Sequence, residues 1–240
     1  MNEVNEPSEV REFFKGKPGY FVEVGANHPV LESQTWHLEQ NGWTGVLVEP
    51  LPELAKRIKE ARRAKVFEVA CSSPENAGRH LPFYVSGGGS TLDWEHMQPG
   101  YRVQAKIEVP IRTLDEILRE AGAPRPLEFL SIDVEGHEID VLRGFDFEHW
   151  RPQLILLEDH VGNLDKHKFL TSHNYKLVRR TNLNGWYVPA NAPVDFGWKE
   201  RLRLLRKYWL ALPFRILRNL SRRLRQPFKD WHADRQPISG

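Results

Sequence analysis

Five short apolar segments, each followed directly by glycine or by polar residues, constrain the fold of this chain more than any other feature. Runs of this length that are rich in valine, leucine and phenylalanine are typical of strands buried on both faces. The segments are YFVEV (20–24), TGVLVEP (44–50), AKVFEVAC (64–71), LEFLSIDVEGHE (127–138) and PQLILLED (152–159). We predict that they form the strands of one sheet.

Segments with a helical pattern of apolar residues separate these strands along the chain. They are 8–15, 32–42, 51–62, the second half of 107–122, and 163–172. The first half of 107–122 is a further strand candidate. Two late strand candidates follow, YKLVRR (175–180) and NGWYVP (184–189). This alternation predicts an α/β fold with a doubly wound, mainly parallel sheet and helices on both faces. We assign this domain to residues 1–190 and a separate extension to residues 191–240.

The charged residues divide the chain into two unequal parts. Residues 198–229 contain 11 lysines and arginines and one acid, Glu200, which gives this segment a charge of +10. Since the whole chain carries +2, the remainder carries −8. An acidic body joined to a basic extension indicates two regions with different roles.

The basic extension has the pattern of an amphipathic helix. Apolar residues recur near helical spacing between its arginines and lysines, at Leu202, Leu205, Trp209, Leu212, Ile216, Leu220 and Leu224. Pro213 is expected to kink or divide the helix. Three interpretations stay open: binding to an anionic membrane surface, packing against the domain or a partner subunit of a homo-oligomer, and binding to nucleic acid. Nucleic acid is least favoured, because the body is acidic and no recognition motif is present.

Cysteine usage and the N-terminal residues bear on where the protein works. Cys71 is the single cysteine, so no disulfide can form within the chain, and a lone thiol is typical of a reducing, cytosolic setting. The N-terminal MNEVNEPSEVREFF is polar and acidic, so we expect no signal peptide. No apolar run approaches the roughly 20 residues of a membrane-spanning helix. We expect a cytoplasmic protein that is either free or peripheral on the inner face of the membrane.

The candidate site lies where the strands end, because ligands in open parallel sheets bind beyond the carboxyl ends of the strands. The residues that follow the five strand candidates are Gly25 to Asn27, Glu49, Ala70 and Cys71, Asp133 to His137, and Glu158 to His160. The glycine-rich segment SGGGST (86–91) has the composition of a lid or a binding loop.

The loop after the first strand lacks the further glycines that let a backbone approach a pyrophosphate, and Pro29 removes a donor. A nucleoside without phosphates that carries a charged amino-acid arm fits better, and S-adenosylmethionine is such a ligand. Glu23 is the candidate partner of its ammonium group, and Glu49 of its ribose hydroxyls. The alternatives are an ordinary strand-to-turn connection and a solvated acid at the strand end. His28 and Pro29 either shape the loop or face the acceptor.

Three carboxylates are expected close together at the ends of neighbouring strands: Asp133, Glu158 and Asp159. Clustered carboxylates repel one another unless a cation or a proton intervenes. Their hard oxygen ligands favour Mg²⁺ or Mn²⁺, and an ion-bound sugar hydroxyl would be more acidic, with His137 as the base. The alternative is that Asp133 and Glu158 cap loops or pair with Arg143 and Arg151, with no metal.

Three motifs in order, FVEVGAN with SQTWHLEQNGWTGVLVEP, VPIRTLDEIL and LEFLSIDVEGHEIDVLRGF, resemble those of FkbM-type methyltransferases. This family is a branch of the class I S-adenosylmethionine-dependent enzymes, and the resemblance covers residues 19–160. It implies a seven-stranded Rossmann-like sheet, S-adenosylmethionine as methyl donor, and O-methylation of sugars or other small hydroxylated molecules.

The resemblance also implies roles for single residues. Together with the strand-end positions, it assigns cofactor binding to Glu23, Gly25, Asn27, Ser33, Thr35, Glu49, Ala70 and Asp133. It places Asp133 between cofactor and acceptor, with His137 or Asp133 as the catalytic base. Some sugar-modifying relatives depend on a metal held by carboxylates after the fourth and fifth strands, and Asp133, Glu158 and Asp159 are similar in position.

Two functions follow as hypotheses. The first is an S-adenosylmethionine-dependent O-methyltransferase that acts on a sugar hydroxyl of a glycan or glycolipid. The second is a non-catalytic binding or scaffold protein that keeps a Rossmann-like domain and works through its basic extension at a membrane surface. Methylation of nitrogen is less favoured, because the Asn-Pro-Pro-Tyr signature of many amine methyltransferases is missing.

Overall fold

The computed structural model describes residues 6–94, 101–159, 161 and 164–225, with side chains described as far as residue 218. The helices are α1 (Glu6–Phe13), α2 (Trp36–Glu39), α3 (Pro52–Ala61), α4 (Leu114–Ala121), α5 (Glu138–Arg143), α6 (Phe147–Trp150), α7 (Asp165–Ser172), α8 (Gly197–Leu204), a π-helical segment (Leu205–Leu210) and α9 (Leu212–Arg225). The strands are β1 (Tyr20–Val24), β2 (Thr44–Val48), β3 (Lys65–Phe67), β4 (Ala70–Cys71), β5 (His80–Val85), β6 (Ala105–Arg112), β7 (Phe129–Ile132), β8 (Leu154–Glu158), β9 (Tyr175–Thr181) and β10 (Asn184–Pro189).

Seven strands form the main sheet, in the order β3-β2-β1-β7-β8-β10-β9. β10 is antiparallel to both of its neighbours, and the other pairs are parallel. The prediction of a mainly parallel, seven-stranded, Rossmann-like sheet is confirmed. The chain runs outward from β1 to β3 and then returns to β7 on the other side of β1. The strand order therefore reverses between β1 and β7, which is where a ligand cleft is expected in such a sheet.

A smaller sheet of order β4-β6-β5 lies beside the main one and corrects one expectation. The segment 64–71, predicted as a single strand, divides after Phe67. β3 completes the edge of the main sheet, whereas Ala70 and Cys71 pair in parallel with Ile111 and Arg112 of β6. The physical reason is a second small core, in which Ala70 is buried with side chains of β5 and β6.

Apolar side chains cover both faces of the main sheet, as expected for parallel strands buried on each side. One core contains Val22, Val46, Leu130 and Ile155 with residues of α4 and α5. The other contains Phe21, Leu47, Phe129 and Leu156 with residues of α1 and α2. Alternate residues of each strand thus face opposite cores, and the rigid sheet fixes the positions of the loops at its carboxyl edge.

A buried arginine, Arg62, explains why the predicted helix at 32–42 shortens to the four residues of α2. Its guanidinium donates to Glu39 Oε2 at 3.1 Å, to the Pro29 carbonyl at 3.0 Å and to Thr35 Oγ1 at 2.9 Å. The backbone before α2 is therefore held as a loop around one cation. This loop follows β1 and forms one wall of the ligand cleft.

The basic extension packs on the domain through its first half. Tyr208 is 2% exposed, its hydroxyl donates to Asp159 Oδ2 at 2.8 Å, and Glu200 accepts from the backbone N–H of Arg180 at 3.1 Å. The helical path breaks at Ala211, just before Pro213, in agreement with the predicted division. The division of the chain at residue 190 stays a prediction.

Most of the apolar stripe of the extension does not pack on the domain. Trp209 is 56% exposed and Phe214 is 74% exposed, and Leu202, Leu205 and Ile216 are also exposed. The side chains of Leu220 and Leu224, and residues 226–229, lie outside the described part of the chain. Among the described residues, none of the helices has both the length and the apolar character needed to cross a bilayer.

Candidate active site

The carboxyl ends of β1 and β7 meet through their backbones at Gly25. Its φ is +84°, and a Cβ built on it would lie 1.8 Å from the carbonyl oxygen of Asp133. The backbone N–H of Asp133 donates to the Val24 carbonyl at 3.0 Å, and that of Gly25 donates to the Val48 carbonyl at 3.0 Å. Only glycine permits this approach. From the sequence we expected this glycine to allow the close approach of a ligand; the structure shows that it also allows the close approach of the Asp133 backbone.

One cavity opens above this contact, between the ends of β1, β2, β4 and β7. Of the residues to which the sequence analysis assigned a role in binding or catalysis, those in its wall are Glu23, Gly25, Asn27, Glu49, Ala70, Asp133 and His137. Gly87, Gly88 and Ser90 of the glycine-rich segment also line it, so that segment lies where a binding loop was expected. The structure therefore brings together residues from five separate parts of the sequence.

Glu23 is buried beneath the loop that follows β1. Its carboxylate accepts from Ser33 Oγ at 3.0 Å, Thr35 Oγ1 at 2.5 Å and the backbone N–H of Gln34 at 2.8 Å. Burial raises the pKa of Glu23, while Thr35, Gln34 and the charge of Arg62 oppose that shift. Ser33 and Thr35 are not in the cavity wall; they hold Glu23 in place, and through it the loop.

Glu49 lies at the end of β2 and binds the adjacent loops. Its carboxylate accepts from the backbone N–H of Asn27 at 2.8 Å and of Leu51 at 2.9 Å. Burial raises its pKa, and these two hydrogen bonds oppose the rise. A carboxylate offers about four acceptor positions. Glu49 is thus fixed in orientation and can still accept two hydroxyl hydrogen bonds.

His28 and Pro29 shape the loop. Nδ1 of His28 accepts from the backbone N–H groups of Val30 at 3.1 Å and Leu31 at 2.9 Å, and the Pro29 carbonyl accepts from Arg62. Of the two alternatives left open by the sequence, the structure supports loop stabilisation.

An acidic cluster stands at the β7 end of the cavity. Carboxylate oxygens of Asp133, Glu135 and Glu158 lie within 4.8 Å of one another. Asp133 keeps accessible surface in the cleft, but the cleft walls surround it. The surrounding walls desolvate the Asp133 carboxylate. This desolvation is the largest cause that raises the pKa of Asp133 well above the ordinary value, and repulsion from Glu158, Glu135 and Glu138 adds to it. The sequence analysis included Glu135 among the residues after the fourth strand but did not assign it as a metal ligand.

Asp159 does not join this cluster, although it was predicted as a metal ligand. Its carboxylate accepts from the Tyr208 hydroxyl at 2.8 Å and from the backbone N–H of Val161 at 2.7 Å, and it lies 4.0 Å from the Arg180 guanidinium. Successive residues along a strand direct their side chains to opposite faces, so Glu158 and Asp159 diverge. The next residue, His160, lies outside the described part of the chain.

His137 begins the turn into α5 and contacts the cavity. Its Nε2 lies 2.9 Å from Ser72 Oγ, and its Nδ1 lies 3.7 Å from Asp140 Oδ2. Burial lowers the pKa of His137, whereas Asp140, Asp93 and Glu138 oppose that shift. Burial therefore favours the neutral imidazole, which is the form that can accept a proton. Ser72 is a further polar neighbour that the strand-end pattern did not indicate.

The profile described as the Methyltransferase FkbM domain matches residues 23–180. The chain belongs to the FkbM methyltransferase family. The matched region runs from Glu23 in β1 to Arg180 in β9 and therefore includes every residue of the cavity wall named above. The resemblance seen in the three sequence motifs is confirmed.

Two curated relatives of this FkbM protein are each similar to it over a short stretch. Methyltransferase 1 of Beauveria bassiana (strain ARSEF 2860) is 42% identical over 45 residues, which cover 19% of this chain and 18% of that protein. Methyltransferase sdnD of Sordaria araneosa is 40% identical over 52 residues, which cover 19% of this chain and 20% of that protein. The chain spans about a fifth of the length of these curated relatives.

Replacing Gly25 by alanine is expected to separate the ends of β1 and β7. The added Cβ would overlap the Asp133 carbonyl, so the free energy of unfolding should fall by at least about 2 kcal/mol. The matched control is Gly78→Ala, because Gly78 has a similar φ of +77° and no heavy atom within 4 Å of the new Cβ. Urea unfolding of both variants measures the difference, and equal losses would contradict the proposed role of the contact.

Proposed function

We propose that this FkbM protein is an S-adenosylmethionine-dependent O-methyltransferase that acts on a sugar hydroxyl of a glycan or glycolipid. The observation that carries the proposal is the Gly25–Asp133 contact at the reversal of strand order. The cavity above this contact has Glu49, the candidate ribose-binding acid, and Asp133 and Glu135 of the acidic cluster in its wall.

The cavity fits a nucleoside with an amino-acid arm better than a dinucleotide. Glu49 is oriented by Asn27 and Leu51 to accept from a ribose diol, and the loop after β1 has no run of glycines to surround a pyrophosphate. Glu23, Gly25 and Asn27 line the side where the methionine arm would lie, and Ala70 lines the cavity near Glu49. S-adenosylmethionine supplies a methyl group on a positively charged sulfur.

The chain's own residues would orient the acceptor hydroxyl and take its proton. His137 is in the cavity wall, and burial lowers its pKa, which favours the neutral form that can accept a proton. Asp133 is the alternative base, and its raised pKa makes it a better proton acceptor than an ordinary aspartate. Positioning inside the cavity supplies the remaining rate acceleration.

The acidic cluster fits a divalent cation with oxygen ligands. Asp133, Glu135 and Glu158 offer three hard oxygen donors within 4.8 Å, which is the donor type that Mg²⁺ and Mn²⁺ prefer. A bound ion would acidify an acceptor hydroxyl. The alternative is a proton shared among the carboxylates, which the raised pKa of Asp133 would also permit.

Glu49→Gln is expected to weaken S-adenosylmethionine binding by about tenfold or more, because it removes charge from hydrogen bonds to the ribose. Isothermal titration calorimetry measures the affinity. Glu53→Gln, an exposed acid on the neighbouring helix α3, is the matched control and should bind as the unmodified protein does. An absence of binding in the unmodified protein, or equal binding by both variants, would contradict the cofactor assignment.

Methyl transfer is expected to depend on neutral His137. The rate should be constant near pH 7–8 and fall only below 6.5, the ordinary histidine value, because burial lowers the pKa of His137. His137→Asn should reduce the rate by about 10²–10⁴-fold and remove this acidic limb. The exposed His80→Asn is the control. A His137→Asn enzyme with an unchanged rate and profile would exclude His137 as the base.

Chelation tests the cation. With a divalent ion in the cluster, EDTA should abolish methyl transfer, and Mg²⁺ or Mn²⁺ should restore it. Glu135→Gln should then need a higher metal concentration for half-maximal activity, whereas the exposed Glu75→Gln should not. Unchanged activity in the chelator would favour the alternative in which the carboxyl groups of the cluster share a proton and bind no cation.

A second candidate function, a scaffold that acts through the basic extension, is supported by the exposure of its apolar stripe. Aromatic residues such as Trp209 and Phe214 face outward beside many arginines, which is the composition of a helix that lies on an anionic leaflet. In this interpretation the protein is peripheral on the inner face of the membrane.

Vesicle sedimentation tests this surface. The protein should bind vesicles rich in phosphatidylglycerol and not neutral ones, and the double variant Trp209→Ser/Phe214→Ser should lose that binding. Leu183→Ser, an exposed apolar residue outside the extension, is the control. Equal sedimentation of the double variant would exclude the stripe as a membrane contact. Vesicle binding without any S-adenosylmethionine binding would favour the scaffold over the enzyme.

A further inference from the structure

A second cavity lies between the end of β9 and the extension, and its lining is strongly basic. Five cationic side chains contribute to it: Arg180, Arg203, Arg206, Lys207 and Arg215. The rest of its lining is Asn182 and Ala211. We call this the basic cavity.

The basic cavity has an excess of positive charge within the described part of the chain. Glu200 pairs with Arg203 at 3.2 Å, and Asp159 lies 4.0 Å from Arg180. Five cations thus face two carboxylates. Burial, followed by repulsion from Arg180, Arg215 and Arg203, lowers the pKa of Lys207 to about 8. Mutual repulsion of this kind is relieved by a bound anion.

Arg180 gives independent evidence for a missing partner. It is 2% exposed, and its Nη groups donate to the Tyr208 hydroxyl and to the Asp159 carbonyl. Its Nε is buried and has no hydrogen-bond partner among the described residues. A buried donor without an acceptor is costly, and an anion in the adjoining cavity would supply one.

The basic cavity adjoins the acidic cluster along the carboxyl edge of the sheet. Asn184 of β10 pairs with Glu158 of β8 on one side and with Thr181 of β9 on the other. Since neighbouring strands are about 4.8 Å apart, the ends of β8 and β9 are separated by about 10 Å. The Asp159 carbonyl, one residue beyond Glu158, accepts directly from Arg180. The side chains of Glu158 and Arg180 leave the sheet on opposite faces, so a molecule that meets both sites has to pass over the carboxyl edge of the sheet.

We propose that the basic cavity binds a phosphate or diphosphate group carried by the acceptor, while the acceptor's hydroxyl reaches the acidic cluster. Guanidinium groups bind phosphate oxygens in pairs of charge-assisted hydrogen bonds, and four arginines line the basic cavity. The substrate class is therefore a phosphorylated glycosyl compound. This inference rests on the proposed methyl transfer for its biological meaning, but anion binding is measurable without it.

The test is calorimetric titration of the full chain with inorganic pyrophosphate at low ionic strength, without methyl donor. The unmodified protein should bind it, and Arg206→Gln/Lys207→Gln should bind at least about tenfold more weakly. Lys199→Gln/Arg201→Gln removes the same charge from the same extension outside the basic cavity. The pyrophosphate affinity of this control variant should stay within about twofold of that of the unmodified protein.

Circular dichroism checks that the variants keep their fold. If the double variant does not fold, the single variant Arg206→Gln, at an exposed residue, replaces it in the titration. No pyrophosphate binding, or equal weakening in both double variants, overturns the proposal. If the protein binds pyrophosphate but shows no methyl transfer, the proposed methyltransferase function is refuted and the anion-binding site still stands.

Vesicles distinguish the source of the phosphate. If the Arg206→Gln/Lys207→Gln protein loses pyrophosphate binding but still sediments with phosphatidylglycerol vesicles, the cavity serves a phosphate of the acceptor. If pyrophosphate also displaces the unmodified protein from those vesicles, the phosphate belongs to a lipid headgroup. That second result overturns the assignment of the phosphate to the acceptor.

Discussion

The contact between Gly25 and the backbone of Asp133 is the constraint on which the rest of the site depends. It joins the ends of β1 and β7, the two strands on either side of the reversal in strand order. Because this contact is between backbones, the side chains that follow each strand have fixed positions. Glu49 is then oriented by Asn27, and the acidic cluster by the turn after β7.

Electrostatics divides the carboxyl edge of the sheet into two parts. Burial raises the pKa values of Glu23 and Glu49, and hydrogen bonds from loop residues oppose both shifts. The cluster around Asp133 brings three carboxyl groups close together, whereas Arg180 and the extension supply positive charge. His137, whose pKa is lowered by burial, lies in the wall of the same cavity as Asp133 and Glu135. An acceptor with both a hydroxyl and an anionic group would complement this arrangement.

The main sheet and most of the cavity wall could be predicted from the sequence, because strands buried on both faces give continuous apolar runs and ligands bind where such strands end. What could not be predicted depends on contacts between distant residues. Asp159 leaves the acidic cluster because Tyr208, 49 residues later, binds its carboxylate. Ser33 and Thr35 face Glu23 because Arg62 closes the loop around them. Glu135 joins the cluster because the chain turns at Gly136, which has a φ of +105°. The spacing of apolar residues in the sequence does not predict this turn.

A crystal structure of the complex with S-adenosylhomocysteine would test the central claim most directly. The account predicts that the ribose hydroxyls donate to Glu49, that the amino-acid arm lies along Gly25 and Asn27, and that the sulfur points towards Asp133. A nucleoside bound elsewhere, or one whose ribose does not touch Glu49, would contradict it.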